Sequence, residues 1–267
     1  LQQAGQHHNI ADIFYCHQPG LKDWIRGLRL HQWLKNLLIF VPLLAAHLVF
    51  VGDALLQALL AFIAFGLTAS SVHLLTDMLD LDDDRHHATK CQRPFAAGTL
   101  SLAQGLVACP LLLFVAGLLS VLFLPWKFLL VLLAYYLLTM AYSFRLKRHA
   151  SVDVISLAAL YTVRIIAGAA ALGLPMTFWL LAFSMFIFLS LALVKRFAEL
   201  AELHGRGESQ ARGRGYYPGD MPIIAAMGTA AGYLSVLVLA LYIREQELLG
   251  VYQQAKYMWL TCPLLLL

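Results

Sequence analysis

Residues 54–85 read ALLQALLAFIAFGLTASSVHLLTDMLDLDDDR. The first 23 of them, Ala54 to Thr76, hold no Asp, Glu, Lys or Arg. At about 1.5 Å of rise per residue, such a helix is long enough to cross the ~30 Å hydrocarbon core of a bilayer. The last nine residues hold five aspartates and an arginine, so the run ends at a membrane surface. No stretch of the chain alternates with period two. A helix bundle is therefore expected, not a barrel.

Similar runs extend outward from this one. Spans are predicted at 37–51, 54–76, 102–122, 126–145, 152–173, 177–198 and 221–243. An eighth begins near 255 and stops at Leu267 in mid-run, which reads as a C-terminal truncation. The predicted fold is thus an all-α polytopic transmembrane bundle with about seven complete spans and a truncated eighth. Residues 1–20 read as a polar linker without the apolar core of a signal peptide, and 21–267 as one transmembrane domain. Leu21–Asn36 reads as an interfacial amphipathic stretch anchored by Trp24 and Trp33. Composition agrees: 61% of the 267 residues are apolar and 13% charged, against about 45–50% and about 25% in soluble domains. A soluble enzyme, a disordered chain, a disulfide scaffold and a nucleic-acid-binding domain are excluded. Cys16, Cys91, Cys109 and Cys262 have no metal-ligand spacing and read as small hydrophobes.

Charge sorts by loop parity. The N-terminal segment and the loops after the second, fourth and sixth runs hold most of the Lys and Arg; the opposite loops offer Lys127, Arg244 and Lys256. The positive-inside rule then places the N-terminus in the cytoplasm. Nearly all the acidic clusters lie on that same side, which topology alone does not require.

Asp77, Asp80 and Asp84 stand at i, i+3 and i+7, one stripe of a helix. Stacked carboxylates repel unless a cation lies between them, and hard oxygen donors suit Mg²⁺ bridging to substrate phosphates. A merely solvated acidic end is the alternative, though acids at a helix C-terminus oppose its dipole. Arg85, Lys90 and Arg93 follow directly, as a departing diphosphate would require; plain positive-inside topology also accounts for them. Arg164 lies inside an apolar helix, where a cation is costly and faces a partner. Asp153 is about 16 Å away by helical rise, so a phosphate or a carboxylate from another helix is expected, for binding or as a structural ion pair. Lys195, Glu199 and Glu202 share a stripe beside Arg196, either as a site or as a salt-bridged helix end. The loop Gly205–Asp220 reads either as a flexible cap over a phosphate site or as an idle basic loop.

The pattern Asp-x-x-Asp-x-x-x-Asp-Arg-x-His-x-x-Lys-x-x-Arg-Pro-x-x-x-Gly, from Asp77 to Gly98, resembles the first aspartate-rich motif of the UbiA superfamily of membrane prenyltransferases. It is most similar to the branch that includes the decaprenyl-phosphate phosphoribosyltransferases. Arg29-Leu30-His31-Gln32-Trp33-Leu34-Lys35-Asn36 resembles that branch's leading segment. Tyr142-Ser143…Lys147…Asp153…Arg164…Gly168 and Lys195-Arg196-Phe197-Ala198-Glu199 are also similar to it. Thr76 stands where the family usually has Asn, and the family's fold of about nine helices exceeds this chain's spans. The resemblance implies Mg²⁺ at Asp77, Asp80 and Asp84, with Arg85 and Lys195 completing the catalytic group. It implies substrate binding by Lys35, Asn36, Thr76, Lys90, Arg93, Tyr142, Lys147, Asp153, Arg164, Arg196 and Glu199. The implied partners are a polyprenyl (di)phosphate lipid, a diphosphate-bearing or aromatic co-substrate and membrane lipid, with no nucleic acid. The implied reaction is a transfer with diphosphate leaving, either prenyl or phosphoribosyl. The implied location is a bacterial inner membrane with the site facing the cytoplasm. A transporter or an inactive scaffold is the alternative; for a transporter, only Arg164 lies far enough inside a span.

Overall fold

A computed structural model of the chain describes residues 20–86, 89–205, 215–248, 259 and 261–264. Among these the regular structure is entirely helical. Short α1 (Leu21–Gly27) leads into a tightly wound 3₁₀ segment, Leu30–Phe40, and then α2 (Val41–Ala45). Next come α3 (Gly52–Leu79), α4 (Leu81–Arg85), α5 (Leu102–Phe123), α6 (Trp126–Phe144), α7 (Ala150–Ala171), α8 (Phe178–Gly205), α9 (Met221–Leu248) and α10 (Thr261–Leu264).

Six helices among the described residues are long and apolar enough to cross a membrane: α3, α5, α6, α7, α8 and α9. The expected count of seven complete spans is therefore not reached among the described residues. The run at 37–51 is not a long helix. It is split between the 3₁₀ segment and α2, and turns at His47, whose φ is +57°. The eighth run lies largely outside the described residues.

The helices fall into inner and outer classes. In the most apolar stretches of α3 and α7, 61% of residues are buried; in α5, α6, α8 and α9 only 17–22% are. Uniformly apolar sequence cannot reveal which face is inside, because lipid and protein neighbours are equally apolar. Small residues decide it. Ala61, Ala64, Ala69, Ala158, Ala167 and Ala171 are all buried, and they let α3 and α7 approach their neighbours closely.

The 3₁₀ segment is wedged between these two inner helices. Three residues per turn put Trp33, Asn36 and Ile39 on one face. Trp33 covers Gly66 of α3, where a Cβ would come within 2.7 Å of the indole, and its Nε1 donates to Ser70 Oγ at 3.0 Å. Asn36 meets Arg164 of α7. The Ile39 carbonyl lies so close to Gly168 that a Cβ there would collide with it. Glycine thus serves close approach on both sides of the wedge.

Candidate functional site

The aspartate end of α3 is bent. Helix geometry breaks at Asp80, which caps α3 and opens α4. Asp84, buried on α4, is still brought back toward Asp77. One cation joins them: Arg93 Nη1 donates to Asp77 Oδ1 at 3.1 Å and to Asp84 Oδ2 at 2.6 Å. Arg29 Nη2 donates to the same Asp77 oxygen at 2.5 Å. Arg29 holds a left-handed backbone, with φ +50° and ψ +47°. Such a conformation in a non-glycine residue is uncommon and concentrates at functional positions. Burial pulls its guanidinium below the ordinary arginine value, against the opposing charge of Asp77. Asp80 points elsewhere, with Lys147 Nζ at 3.7 Å from Oδ2.

The expected carboxylate stripe is therefore not a converged triad. Among the described residues no three Asp, Glu, His or Cys side chains close around one point. The helix break turns Asp80 away, and the arginines draw the other two together. The donor set nonetheless fits a hard divalent cation. Asp77 and Asp84 already share one positive nitrogen, and Asp80 lies between them in sequence; these hard carboxylate oxygens are the residues that would hold such an ion.

A second polar knot joins α6, α7 and α8. Asp153 is wholly buried; Arg196 Nε donates to its Oδ2 at 2.5 Å and Nη2 to its Oδ1 at 3.1 Å. Tyr142 donates to Asp153 Oδ1 at 2.9 Å, and Arg196 Nη1 donates to Glu199 Oε2 at 2.5 Å. Four residues expected to bind substrate are thus brought together, with Arg196 neutralised by its own carboxylates.

Arg164 answers its sequence-level question differently. Its Nε donates to Asn36 Oδ1 at 3.0 Å, Nη2 to the Tyr135 hydroxyl at 3.3 Å, and Nη1 to the Leu160 carbonyl one turn back. Its Cζ lies 5.2–5.5 Å from the centroids of Tyr135, Tyr161 and Phe65. No carboxylate pairs with it among the described residues. Lys35, next to Asn36, stays solvent-accessible. The low-dielectric wall around it, and then Lys195, Arg164 and Arg29, lower its ammonium below the ordinary lysine value.

Other expected residues sit apart. Arg85 and Lys90 are exposed. The Thr76 hydroxyl donates back to its own helix, to Val72 and His73. Residues 206–214 of the expected cap lie outside the described residues; just after them, the Tyr216 hydroxyl donates to the Ala150 carbonyl. Sequence reasoning missed three participants. Arg29 was seen only as part of a motif. Tyr135 carries no signal in an apolar run. His73 was detectable as the one imidazole in the 54–76 run, one turn before Asp77; it lies half-buried among Arg29, Lys35, Arg164 and Arg93.

Comparison with known proteins agrees with this architecture. A profile of the UbiA prenyltransferase family matches residues 37–266. A Sinorhizobium fredii protein, "Uncharacterized protein y4nM", is 40% identical over 242 residues, 90% of this chain and 47% of that one. The decaprenyl-phosphate phosphoribosyltransferase of Mycolicibacterium smegmatis is 37% identical over 186 residues, 66% of this chain and 56% of that one. This chain thus spans about half the length of these curated relatives. A UbiA homolog from Archaeoglobus fulgidus, solved bound to GPP and Mg²⁺, superimposes with a TM-score of 0.69 at 17% identity, covering 91% of this chain and 85% of that one. At that identity the likeness concerns the fold.

Proposed function

The chain belongs to the UbiA prenyltransferase family, and from that premise we propose that it is a Mg²⁺-dependent transferase with diphosphate as leaving group. Its six long apolar helices and its family make it an integral membrane protein. The favoured reaction is transfer of a phosphoribosyl group from phosphoribosyl diphosphate to a polyprenyl phosphate. Supporting that choice is the 37% identity to a decaprenyl-phosphate phosphoribosyltransferase. The observation that carries the diphosphate reading is Arg93 Nη1 bridging Asp77 and Asp84, two carboxylates already gathered on one cation.

In this reaction the bond from the anomeric carbon to diphosphate breaks, and its electron pair leaves with the diphosphate. A new bond forms from that carbon to an acceptor phosphate oxygen. Bound Mg²⁺ supplies charge neutralisation of the diphosphate, and Asp77, Asp80 and Asp84 would hold it. Arg29, Arg93 and Lys147 stand at the same end and stabilise the charge that develops on departure. Arg85, Lys90 and Lys195 add to the positive field there. The knot of Tyr142, Asp153, Arg196 and Glu199 keeps α6, α7 and α8 in register around the site. The proposed location is a bacterial inner membrane, with the N-terminus and the site on the cytoplasmic side, as charge placement directs.

The test is turnover by the purified protein in detergent with Mg²⁺. One arm offers phosphoribosyl diphosphate with a polyprenyl phosphate, the other a prenyl diphosphate with an aromatic acceptor, each with Asp80→Asn as control. Product in the first arm, lost in the variant, is the expected result. Product only in the second arm replaces phosphoribosyl with prenyl transfer. No product and no Mg²⁺-dependent diphosphate binding overturns the enzymatic reading.

A further inference from the structure

Four arginines of this bundle have partners that can be compared directly. Arg29 and Arg93 meet Asp77, Arg93 also meets Asp84, and Arg196 meets Asp153. Arg164 is 9% exposed and, among the described residues, has only neutral partners. A guanidinium carries five donors, and three hydrogen bonds are made here, so two N–H groups are left over. A buried cation ringed by aromatic faces is attracted to them, but they do not cancel its charge.

Its neighbour is also incomplete. Asn36 is 1% exposed, and its Oδ1 is taken by Arg164. Its Nδ2 has no acceptor at all, the single buried side-chain nitrogen or oxygen so placed among the described residues. Leaving a buried donor unmade is costly, and in a native protein it calls for an explanation. Lys35 precedes Asn36 on the same segment and lies near Arg164, Lys195 and Arg29. Arg164 and Asn36, a buried cation and a buried amide with donors to spare and no carboxylate of the described residues on either, are arranged for an oxyanion.

Its position separates it from the aspartate end. Arg164 lies eleven residues beyond Asp153 on α7, about 16 Å deeper by rise. Its bond to the Leu160 carbonyl aims the guanidinium back toward the aspartates. His73, one turn inside Asp77 on α3, feels the positive charge of Arg29, Lys35, Arg164 and Arg93.

We propose that Arg164, Asn36 and Lys35 form a second oxyanion subsite, deeper than the aspartate end, that takes the phosphate monoester headgroup of the lipid acceptor. This rests on the transferase reading above and deepens it. A water-soluble diphosphate enters from the aqueous end and meets Asp77, Asp80 and Asp84. A lipid phosphate arrives from within the membrane and needs a buried partner for its charge. The two subsites hold the acceptor oxygen and the leaving group on opposite sides of the reacting carbon.

The experiment measures binding to the full chain in nanodiscs, with separate probes: a polyprenyl phosphate, inorganic phosphate, 4-hydroxybenzoate, and phosphoribosyl diphosphate with Mg²⁺. Asn36→Asp supplies Arg164 with a resident carboxylate and repels an incoming phosphate. The expected result is a loss of about tenfold or more in polyprenyl phosphate affinity, about 1.4 kcal/mol or more. Diphosphate affinity should stay within about twofold and thermal stability should not fall. Arg164→Gln should weaken the same probe. Inorganic phosphate should compete weakly and the aromatic carboxylate not at all. Unchanged lipid-phosphate affinity in Asn36→Asp overturns the subsite while leaving the transferase reading intact. An equal loss of diphosphate affinity overturns it too, by assigning these residues to the leaving group. If the aromatic carboxylate is the probe that depends on Asn36, the acceptor class is wrong. If the wild-type protein binds neither probe, both readings fall.

Discussion

At the scale of single residues, the aspartates differ in what they do for the fold. Asp80 has one long-range partner, Lys147 at 3.7 Å, and is 43% exposed. Asp80→Asn should change stability by less than about 1 kcal/mol, yet abolish Mg²⁺-dependent diphosphate binding. Asp77 is 3% exposed and meets both Arg29 and Arg93, so Asp77→Asn should lose binding and also about 1–3 kcal/mol of stability. Thermal unfolding in detergent beside titration with phosphoribosyl diphosphate checks both; equal stability losses would contradict the assignment. The buried pair of Asp153 and Arg196 gives a sharper case. Arg196→Met should cost about 3–5 kcal/mol, because buried Asp153 is left without a cation, whereas Asp153→Leu should cost less, because Arg196 keeps Glu199. The double variant should recover part of that loss, and a double-mutant cycle measures it. These residues differ in how legible they were. The aspartate stripe was visible as spacing within eight residues, since charge at the end of an apolar helix has few neutral explanations. The partner of Arg164 was not, because Asn36 lies 128 positions away and is polar without charge. Arg196 was read as available to substrate, since nothing local shows that Asp153 would occupy it.

At the scale of elements, long apolar runs were enough to mark α3 and α5–α9, and the predicted ends fall within a few residues of the observed ones except at the C-terminal ends of α8 and α9, which run on to Gly205 and Leu248. In α8 the charged residues 199–205 continue the helix because Arg196 and Glu199 are one turn apart and bonded. The segment at 30–45 resisted reading for a different reason. A period of three is set by what it packs against, and that information sits in Gly66 and Gly168, far along the chain. Those glycines make the wedge testable. Gly168→Ala forces a Cβ against a backbone carbonyl that cannot move aside alone. It should therefore destabilise the protein and weaken ligand binding together, by displacing Asn36 from Arg164. Gly66→Ala meets only the Trp33 ring, a side chain that can tilt, so its effect should be smaller. Gly117 of α5 faces open space, and Gly117→Ala should be neutral or stabilising by up to about 1 kcal/mol. Unfolding midpoints of the three variants give the order directly. A Gly168→Ala protein as stable as the Gly117→Ala protein would mean that the wedge is not tightly held.

At the scale of the whole molecule, the polar groups lie at one end of an apolar bundle. The end of α3, the α6–α7 turn, the start of α7 and the end of α8 carry the aspartate end and the Asp153 knot, linked by Lys147 to Asp80. Gathering charge this way leaves the membrane-crossing stretches of the outer helices apolar toward lipid, while the ends of α6 and α8 join α3 and α7 in holding the polar groups. On the proposed phosphoribosyl transfer it also calls for one orientation, since a site that uses water-soluble phosphoribosyl diphosphate must open where that substrate is made. Cys91 lies in the loop between Asp84 and Arg93, and Lys127 lies at the start of α6, at the opposite end of α5. In a variant keeping only Cys91, a membrane-impermeant thiol reagent should label inside-out vesicles and spare right-side-out ones. In a variant whose only cysteine is Lys127→Cys, the pattern should reverse. Labelling of both from one side would break the six-helix topology, because α5 would not cross. The two expected patterns exchanged, with Cys91 labelled in right-side-out and Lys127→Cys in inside-out vesicles, would keep the topology and invert the orientation. That result would place the aspartate end outside the cell and remove phosphoribosyl diphosphate from consideration as the donor.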